Sequence, residues 1–294
     1  MKHETDLFAE EAKPLAEPCL STPLNRCKII VGDARKVLKD IPEGHFDCVV
    51  TSPPYWGLRD NGIDGLIGTE TTIDEYIAEL VRLFREVRRT LADDGTFWLN
   101  IGDSYTSGAR TWRDTDAKNK GLAMNYRVPT PEGLKPKDLI GVPWRLAFAL
   151  QADGWYLRTD LIWNKPNCQP ESVKDRPTRA HEYVFLFSKS EKYYYDLQAI
   201  MEPAIDPNHK SKNRRSVWNI NTEPYPGRQF SAYPRALVRL CVSAGSREDG
   251  RVLDPFFGSG TTGVVCNELR RECVGIELNK DYAELARERL LRGR

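Results

Sequence analysis

The sequence predicts an α/β domain, a mostly parallel sheet with helices on both faces. Three observations carry that prediction. Short apolar runs alternate along the chain with segments of helical period, as in a series of βαβ units. Five of these runs end at Asp33, Ser52, Asp103, Asp254 and Glu277; in an open parallel sheet such strand ends gather along one edge, where ligands bind. One run, Arg251-Val252-Leu253-Asp254, leads directly into a glycine-rich turn and a helix start.

The elements follow in order. Residues 1–24 are polar and Pro-containing and read as a mobile leader to a domain over 25–294. A strand over 28–31 closes at Gly32-Asp33. A second, over 46–51, closes at Ser52-Pro53-Pro54, because two prolines end a strand and withhold both backbone N–H groups. Ile73, Ile77, Leu80, Phe84, Val87 and Leu91 keep the i+3/i+4 spacing of an amphipathic helix. Thr72 and Glu75 form its capping box and Asp93-Asp94-Gly95 its stop. A strand follows over 96–101. A helix over 139–152 precedes strands over 156–163 and 183–188. A helix over 234–243 leads to the glycine-turn strand, its helix and the strand ending at Glu277, and Asn279 caps a last helix reaching Arg292. No internal repeat is visible.

A chain of 294 residues has ample length to bury a core. Its formal net charge of +1 gives no global basic signature of a nucleic-acid binder. Basic residues are concentrated locally instead. Between Pro207 and Arg228, Lys210, Lys212, Arg214, Arg215 and Arg228 face Glu223 alone. From Thr106 to Lys137, seven basic residues face three acids. Both stretches lack periodicity and contain Gly, Pro and Asn, so both read as loops. Two basic loops beside a ligand-binding edge favour phosphate contacts.

The seven cysteines form no C-x-x-C pair, and the four histidines never fall at i, i+4, so no metal site is expected. Cys48, Cys266 and Cys273 sit in apolar runs as reduced core residues. An odd cysteine count without a signal peptide points to a reducing, intracellular compartment. No apolar run approaches the roughly 20 residues that span a membrane. Pro18-Cys19, a dipeptide that could carry a cysteine nucleophile, lies in the leader and plays no part.

Two motifs carry the chemistry. Thr51-Ser52-Pro53-Pro54-Tyr55-Trp56 is a stiff turn that presents carbonyl oxygens, one small hydroxyl and an aromatic face. Such a turn can accept hydrogen bonds from an exocyclic amino group while a planar ring lies on Tyr55; it can equally be a Pro-rich turn with a buried tyrosine. The second motif, Asp254-Pro255-Phe256-Phe257-Gly258-Ser259-Gly260-Thr261-Thr262-Gly263, brings backbone close to a ligand at a helix N-terminus. It lacks the lysine of a nucleotide phosphate loop. It does fit G-x-G-x-x-G, and the following strand ends in Glu277, placed as a ribose-binding carboxylate is. These letters leave NAD and S-adenosylmethionine both open.

The pair T-S-P-P-Y-W and D-P-F-F-G-S-G-T-T, in that order, resembles the amino-group DNA methyltransferases of the β arrangement. Further segments share the likeness: Gly32-Asp33, Leu99 to Tyr105, Ile162 to Asn167, Arg179-Ala180-His181-Glu182-Tyr183 and Phe230 to Pro234. The resemblance covers about residues 25–290. NAD drops out, because no dehydrogenase accounts for Ser52-Pro53-Pro54-Tyr55.

The resemblance implies a single Rossmann-like methyltransferase domain, circularly ordered so that the cofactor-binding half is C-terminal, with S-adenosylmethionine as methyl donor. Ser52, Pro53, Pro54 and Tyr55 are then the catalytic residues: acceptors that hold the amino hydrogens and a ring that stacks on a base flipped from the duplex. Trp56 either stacks too or belongs to the core. Glu277 is assigned to the ribose hydroxyls and Asp33 to the adenine amino group. Asp254, Pro255, Phe256, Gly258, Ser259, Gly260 and Thr261 surround the methionine portion, with Phe230 and Pro234 packed beside it. Arg176, Arg179, His181 and Glu182 border the flipped base, with Glu182 alternatively an ion-pair partner of Arg179. DNA contacts fall to Arg179, His181, Lys210, Lys212, Arg214 and Arg215, with recognition mainly in about 189–228 and a second contact in 106–137.

Serine at position 52 resembles the cytosine-N4 group, whereas relatives with Asp or Asn there mostly methylate adenine N6. Adenine N6 therefore stays as the alternative base. A catalytically inactive DNA-binding module of the same fold is the alternative of another class, and methylation of RNA or a small molecule is disfavoured by the two basic loops. The expected partners are double-stranded DNA, a second copy of the chain in a homodimer and a cognate restriction endonuclease, in a prokaryotic or phage-encoded cytoplasmic setting away from membranes.

Overall fold

The computed structural model describes residues 26–57, 65–106, 130–206, 208–223 and 233–292. The leader 1–24, Phe230 and most of the stretch 106–137 lie outside them.

The chain builds an eight-stranded sheet. Its strands are β1 (Cys27–Val31), β2 (Phe46–Thr51), β3 (Leu91–Ile101), β4 (Tyr156–Asn164), β5 (His181–Ser188), β8 (Val217–Asn219), β9 (Arg251–Asp254) and β10 (Glu272–Glu277), in spatial order β1-β10-β9-β2-β3-β5-β4-β8. Every neighbouring pair is parallel except the two pairs that involve β5. A separate antiparallel pair joins β6 (Glu202–Pro203) to β7 (Ser211–Lys212).

Continuous apolar runs mark strands buried on both sides, and successive side chains here do go to opposite faces. Val49, Phe97, Leu99, Phe185 and Phe187 pack on one face against helices α1 (Ala34–Val37), α2 (Ile73–Thr90) and α3 (Val142–Ala152). Cys48, Val50, Trp98, Val184 and Leu186 pack on the other, against α4 (Arg235–Gly245), α5 (Thr261–Glu268) and α6 (Lys280–Arg292). The α/β class and the two helical layers are as the sequence predicts. The capping box of α2 forms as well: Thr72 Oγ1 accepts from Glu75 N at 3.2 Å and Thr72 N donates to Glu75 Oε2 at 3.0 Å.

Three expectations change. The α2 helix ends at Thr90, and Asp93-Asp94-Gly95 lies inside β3 instead of stopping a helix. Leu91 is fully buried and pairs with Phe46 in extended backbone, so the chain joins the sheet before those polar residues are reached. The α1 helix, capped by Asp33, is too short to leave a periodic signal. Part of the basic stretch from Pro207 to Arg228 is not a loop: β8 extends the main sheet, and Trp218 is 3% exposed. Among the described residues, no helix is long and apolar enough to cross a membrane.

Gly275 in β10 shows how tightly the cofactor-side loop sits on the sheet. A methyl group there would lie 2.3 Å from the ring of Phe257, which is itself 3% exposed. Overpacking of this kind costs about 1–3 kcal/mol. Gly275→Ala is therefore expected to lower the urea unfolding midpoint with an unchanged m-value, and an unshifted midpoint would contradict the packing described.

Candidate active site

Strands β2 and β9 lie side by side, and their crossovers leave in opposite directions. From β2 the chain passes through α2 to β3; from β9 it passes through α5 to β10. Such a divergence opens a crevice at the strand carboxyl ends, and here it brings the proline turn beside the glycine turn. One buried carboxylate joins them. Asp254 Oδ1 accepts from Thr51 Oγ1 at 2.6 Å and from Phe256 N at 3.1 Å. Its Oδ2 accepts from Tyr233 Oη at 2.8 Å and Thr262 Oγ1 at 2.6 Å. Asp254 is 0% exposed. Burial pushes its carboxyl above the ordinary value, although the hydrogen bonds from Thr262, Thr51 and Tyr233 pull it back. With four internal donors on two oxygens, Asp254 braces both turns of the crevice.

The proline turn is held just as closely. Tyr76, on α2, donates to the carbonyl of Pro54 at 2.8 Å. The carbonyl of Pro53 accepts no hydrogen bond from the described residues. Tyr55 packs closely against Gly102, where a methyl group would come within 2.8 Å of its Cε2. Its hydroxyl donates to Glu182 Oε2 at 2.7 Å. Burial and the Glu182 carboxylate push the phenol well above its ordinary range, so it keeps its proton. Glu182 also accepts from Asn100 Nδ2 at 3.1 Å and pairs with Lys165. The alternative that pairs Glu182 with Arg179 is therefore not realised: Arg179 faces Asp103 instead. Trp56 is 6% exposed and donates to the carbonyl of Glu70, which makes it a core residue.

On the cofactor side, Glu277 Oε2 accepts from Gly258 N at 2.7 Å and Oε1 from Asn279 N at 2.8 Å. Burial pushes its carboxyl up against those two backbone bonds. Gly258 and Gly260 take the left-handed φ values of 54° and 81°, where a side chain would be strained. The hydroxyls of Ser259 and Thr261 turn away from the crevice to Arg289 of α6, at 3.2 and 2.8 Å, so the loop presents backbone there. Pro255 is buried, Phe256 is half-buried against Phe84, and Pro234 begins α4. Asp33 is clamped by Arg35, at 2.8 Å. Burial alone would raise its carboxyl, but the Arg35 bonds and charge hold it below the usual range.

Asp103 is a helix cap: its Oδ1 accepts from Gly141 N at 2.9 Å and Val142 N at 3.0 Å at the start of α3. Arg179 approaches its other oxygen at 4.0 Å and keeps a buried Nη1 without a partner among the described residues. Arg176 lies over the Tyr105 ring, and His181 packs edge-on to Tyr183. The basic segment is less free than its composition implies. Arg214 donates to the carbonyl of Ile200, and Lys212 and Arg215 both pair with Glu202; Lys210 is exposed. Sequence reasoning singles out neither Tyr76 nor Arg289, and it places Asn100, Gly102 and Lys165 in motif segments without assigning them a role. Tyr76 reads as one more position on the apolar face of α2, and Arg289 carries no local signal at all.

Comparison with known proteins agrees with this arrangement. A family model described as DNA methylase matches residues 46–288. The Type II methyltransferase M.SmaI of Serratia marcescens is 73% identical over 289 residues, 98% of this chain and 97% of its own. M.XycI, a Type II methyltransferase of Xanthomonas campestris pv. cyanopsidis, is 59% identical over 259 residues, 88% of this chain and 86% of its own. Among solved structures, the S-adenosyl-L-methionine complex of TTHA0409, a putative DNA modification methylase from Thermus thermophilus, superposes with a TM-score of 0.62 at 25% identity, covering 90% of this chain and 93% of that one. The cytosine-N4-specific PvuII DNA methyltransferase superposes with a TM-score of 0.66 over 91% of this chain and 93% of its own; at 19% identity that likeness is one of fold. A match over most of the chain, together with close relatives covered almost end to end, places the protein in the N4/N6 amino-group DNA methylase family, among the Type II DNA methyltransferases.

Proposed function

We propose that the chain is a site-specific methyltransferase that moves a methyl group from S-adenosylmethionine to the exocyclic N4 of a cytosine flipped out of duplex DNA. The observation that carries this reading is the division of labour in the proline turn. Tyr76 occupies the carbonyl of Pro54, while the carbonyl of Pro53 is left without a partner among the described residues, beside Ser52 and the Tyr55 ring. An amino nitrogen conjugated to a pyrimidine is a poor nucleophile, because its lone pair is delocalised into the ring. The Pro53 carbonyl and Ser52 would hold its hydrogens and draw the nitrogen toward tetrahedral geometry, and Tyr55 would fix the plane of the base. Catalysis is then mainly positioning.

S-adenosylmethionine, when bound, supplies an electrophilic sulfonium methyl. The residues present suit it. Each oxygen of Glu277 accepts one backbone N–H and keeps acceptor capacity for a ribose hydroxyl. The glycine turn lets backbone approach closely, and Phe256, Pro255 and Pro234 give it apolar flanks. The Asp33–Arg35 pair stands at the next strand end as the candidate partner of the adenine amino group. Arg179, with its unpartnered Nη1, and exposed Lys210 are the DNA contacts that this arrangement favours over Arg214, whose guanidinium is already bonded.

Serine at position 52 supports cytosine over adenine, because it resembles the cytosine-N4 group, whereas relatives with Asp or Asn there mostly methylate adenine N6. The reading extends to double-stranded DNA as substrate, to a cognate restriction endonuclease as functional partner, in keeping with the Type II names of the relatives, to a homodimer and to a bacterial cytoplasm.

Incubation of plasmid DNA with labelled S-adenosylmethionine, followed by nucleoside mass spectrometry, is expected to yield N4-methylcytosine. N6-methyladenine in its place would sink the choice of base, and transfer to neither would favour an inactive DNA-binding module. Hydrogen bonds to a charged group are worth about 1.5–3 kcal/mol. Glu277→Gln is therefore expected to weaken S-adenosylmethionine binding roughly 10- to 100-fold by calorimetry, and an unchanged Kd would remove Glu277 from the cofactor site.

A further inference from the structure

Three strands converge on one carboxylate, which in turn holds a tyrosine hydroxyl. β5 is the antiparallel strand, so it begins at the edge where its neighbours end, and Glu182 therefore enters the crevice from its start. Asn100 comes from the end of β3 and Lys165 follows the end of β4. Glu182 Oε2 accepts from Tyr55 Oη at 2.7 Å and from Asn100 Nδ2 at 3.1 Å, while Oε1 is ion-paired with Lys165. The side chains of Glu182 and Lys165 are only 16% and 18% exposed, and the ammonium also lies 4.3 Å from the centroid of the Trp163 ring. Gly102 leaves no room for a side chain beside the Cε2–Cζ edge of Tyr55, so the ring is hemmed in by a glycine and held at its tip by a carboxylate.

Packing alone does not call for this arrangement. An ion pair taken largely out of water is no more stabilising than apolar residues of the same volume. We propose that Glu182 is a positioning residue for methyl transfer, acting through Tyr55, with Lys165 and Asn100 holding its carboxylate in place. The proposal rests on the reading of Tyr55 as the platform for the target base. It has two physical parts. A hydroxyl bonded to a fixed acceptor pins the plane of the ring and hence the plane of a base stacked on it. During transfer the sulfur–methyl bond breaks as the nitrogen–methyl bond forms, positive charge passes from the sulfonium to the amino nitrogen until that nitrogen releases a proton to solvent, and a ring face attracts a nearby cation. A phenol that donates to a carboxylate has a more electron-rich ring and holds the cationic product better. The phenol keeps its proton throughout; no bond at Tyr55 or Glu182 is made or broken.

The test is a double-mutant cycle read in single-turnover methyl transfer to plasmid DNA, with Glu182→Gln, Tyr55→Phe and the two combined. Glutamine offers one acceptor oxygen to three donors and turns an N–H toward Lys165 or Tyr55, so the phenol loses its anchor. Each single change is expected to slow transfer about 10-fold or more, and the double variant to be no more than about 2-fold slower than Tyr55→Phe, because Tyr55→Phe already removes the contact that Glu182→Gln weakens, together with those of the hydroxyl to Ser52 and Gly102. The affinity for S-adenosylmethionine should stay within about 2-fold in all three. Multiplying effects, or a Glu182→Gln rate equal to the parent, would overturn the proposal. If Glu182→Gln does not fold, the charge-balanced Glu182→Gln/Lys165→Met protein replaces it in the cycle with the same two criteria. Mass spectrometry of the parent's product is run alongside. A methyl on adenine would refute the cytosine reading and leave the cycle to decide on Glu182.

Discussion

The crevice depends on one buried carboxylate. Asp254 ends β9, yet the side chains that satisfy it come from β2, from the segment before α4 and from the first turn of α5. An unpaired charge in that position would cost several kcal/mol, so the donors are required partners. Thr51 cannot move without exposing Asp254, and Thr51 is the residue that launches the proline turn. The distance between the two turns is thus set by a hydrogen bond 2.6 Å long, in a core where neither partner has room to shift.

A second constraint comes from the direction of β5. In an all-parallel sheet the residue opposite Asn100 would belong to the middle or far end of a strand. Because β5 runs the other way, its first residues, His181 and Glu182, meet the last residues of β3 and β4 at the same edge. Glu182 reaches Tyr55 across 127 positions of sequence through this reversal alone. The antiparallel strand widens the crevice's polar lining without lengthening any loop.

Most of the fold is legible in the sequence because it rests on periodicity. The continuous apolar runs of β2, β3 and β5 and the i+3/i+4 face of α2 each report burial directly, and the Thr72–Glu75 capping box follows from local chemistry. What escapes lies where tertiary partners override local signals. Asp93-Asp94-Gly95 spells a helix stop, but the burial of Leu91 has already drawn the chain into the sheet. Val217–Asn219 is hidden in a segment dominated by charge, and only its contact with β4 makes it a strand. Within the site, backbone-shaping residues such as Pro53 and Gly258 are legible because few residue types supply their geometry. Roles that depend on which groups face each other are not. Residue type alone cannot tell that the hydroxyls of Ser259 and Thr261 point at Arg289, or that Glu182 prefers Lys165 to Arg179.

The charge balance of the edge follows from the same pairing logic. Asp33, Asp103, Glu182, Asp254 and Glu277 crowd a crevice that must admit a polyanion, an arrangement that would repel phosphate if the carboxylates were open. None is open. Arg35 covers Asp33, backbone N–H groups cover Asp103 and Glu277, Lys165 covers Glu182, and hydroxyls cover Asp254. Interactions between paired charges fall off quickly with distance and are further screened by salt. A chain of net charge +1 can therefore carry five acids along one sheet edge, each engaged at short range by its own neighbours. In the proposed reading of the proline turn, the acceptors offered to a base amino group are the uncharged ones.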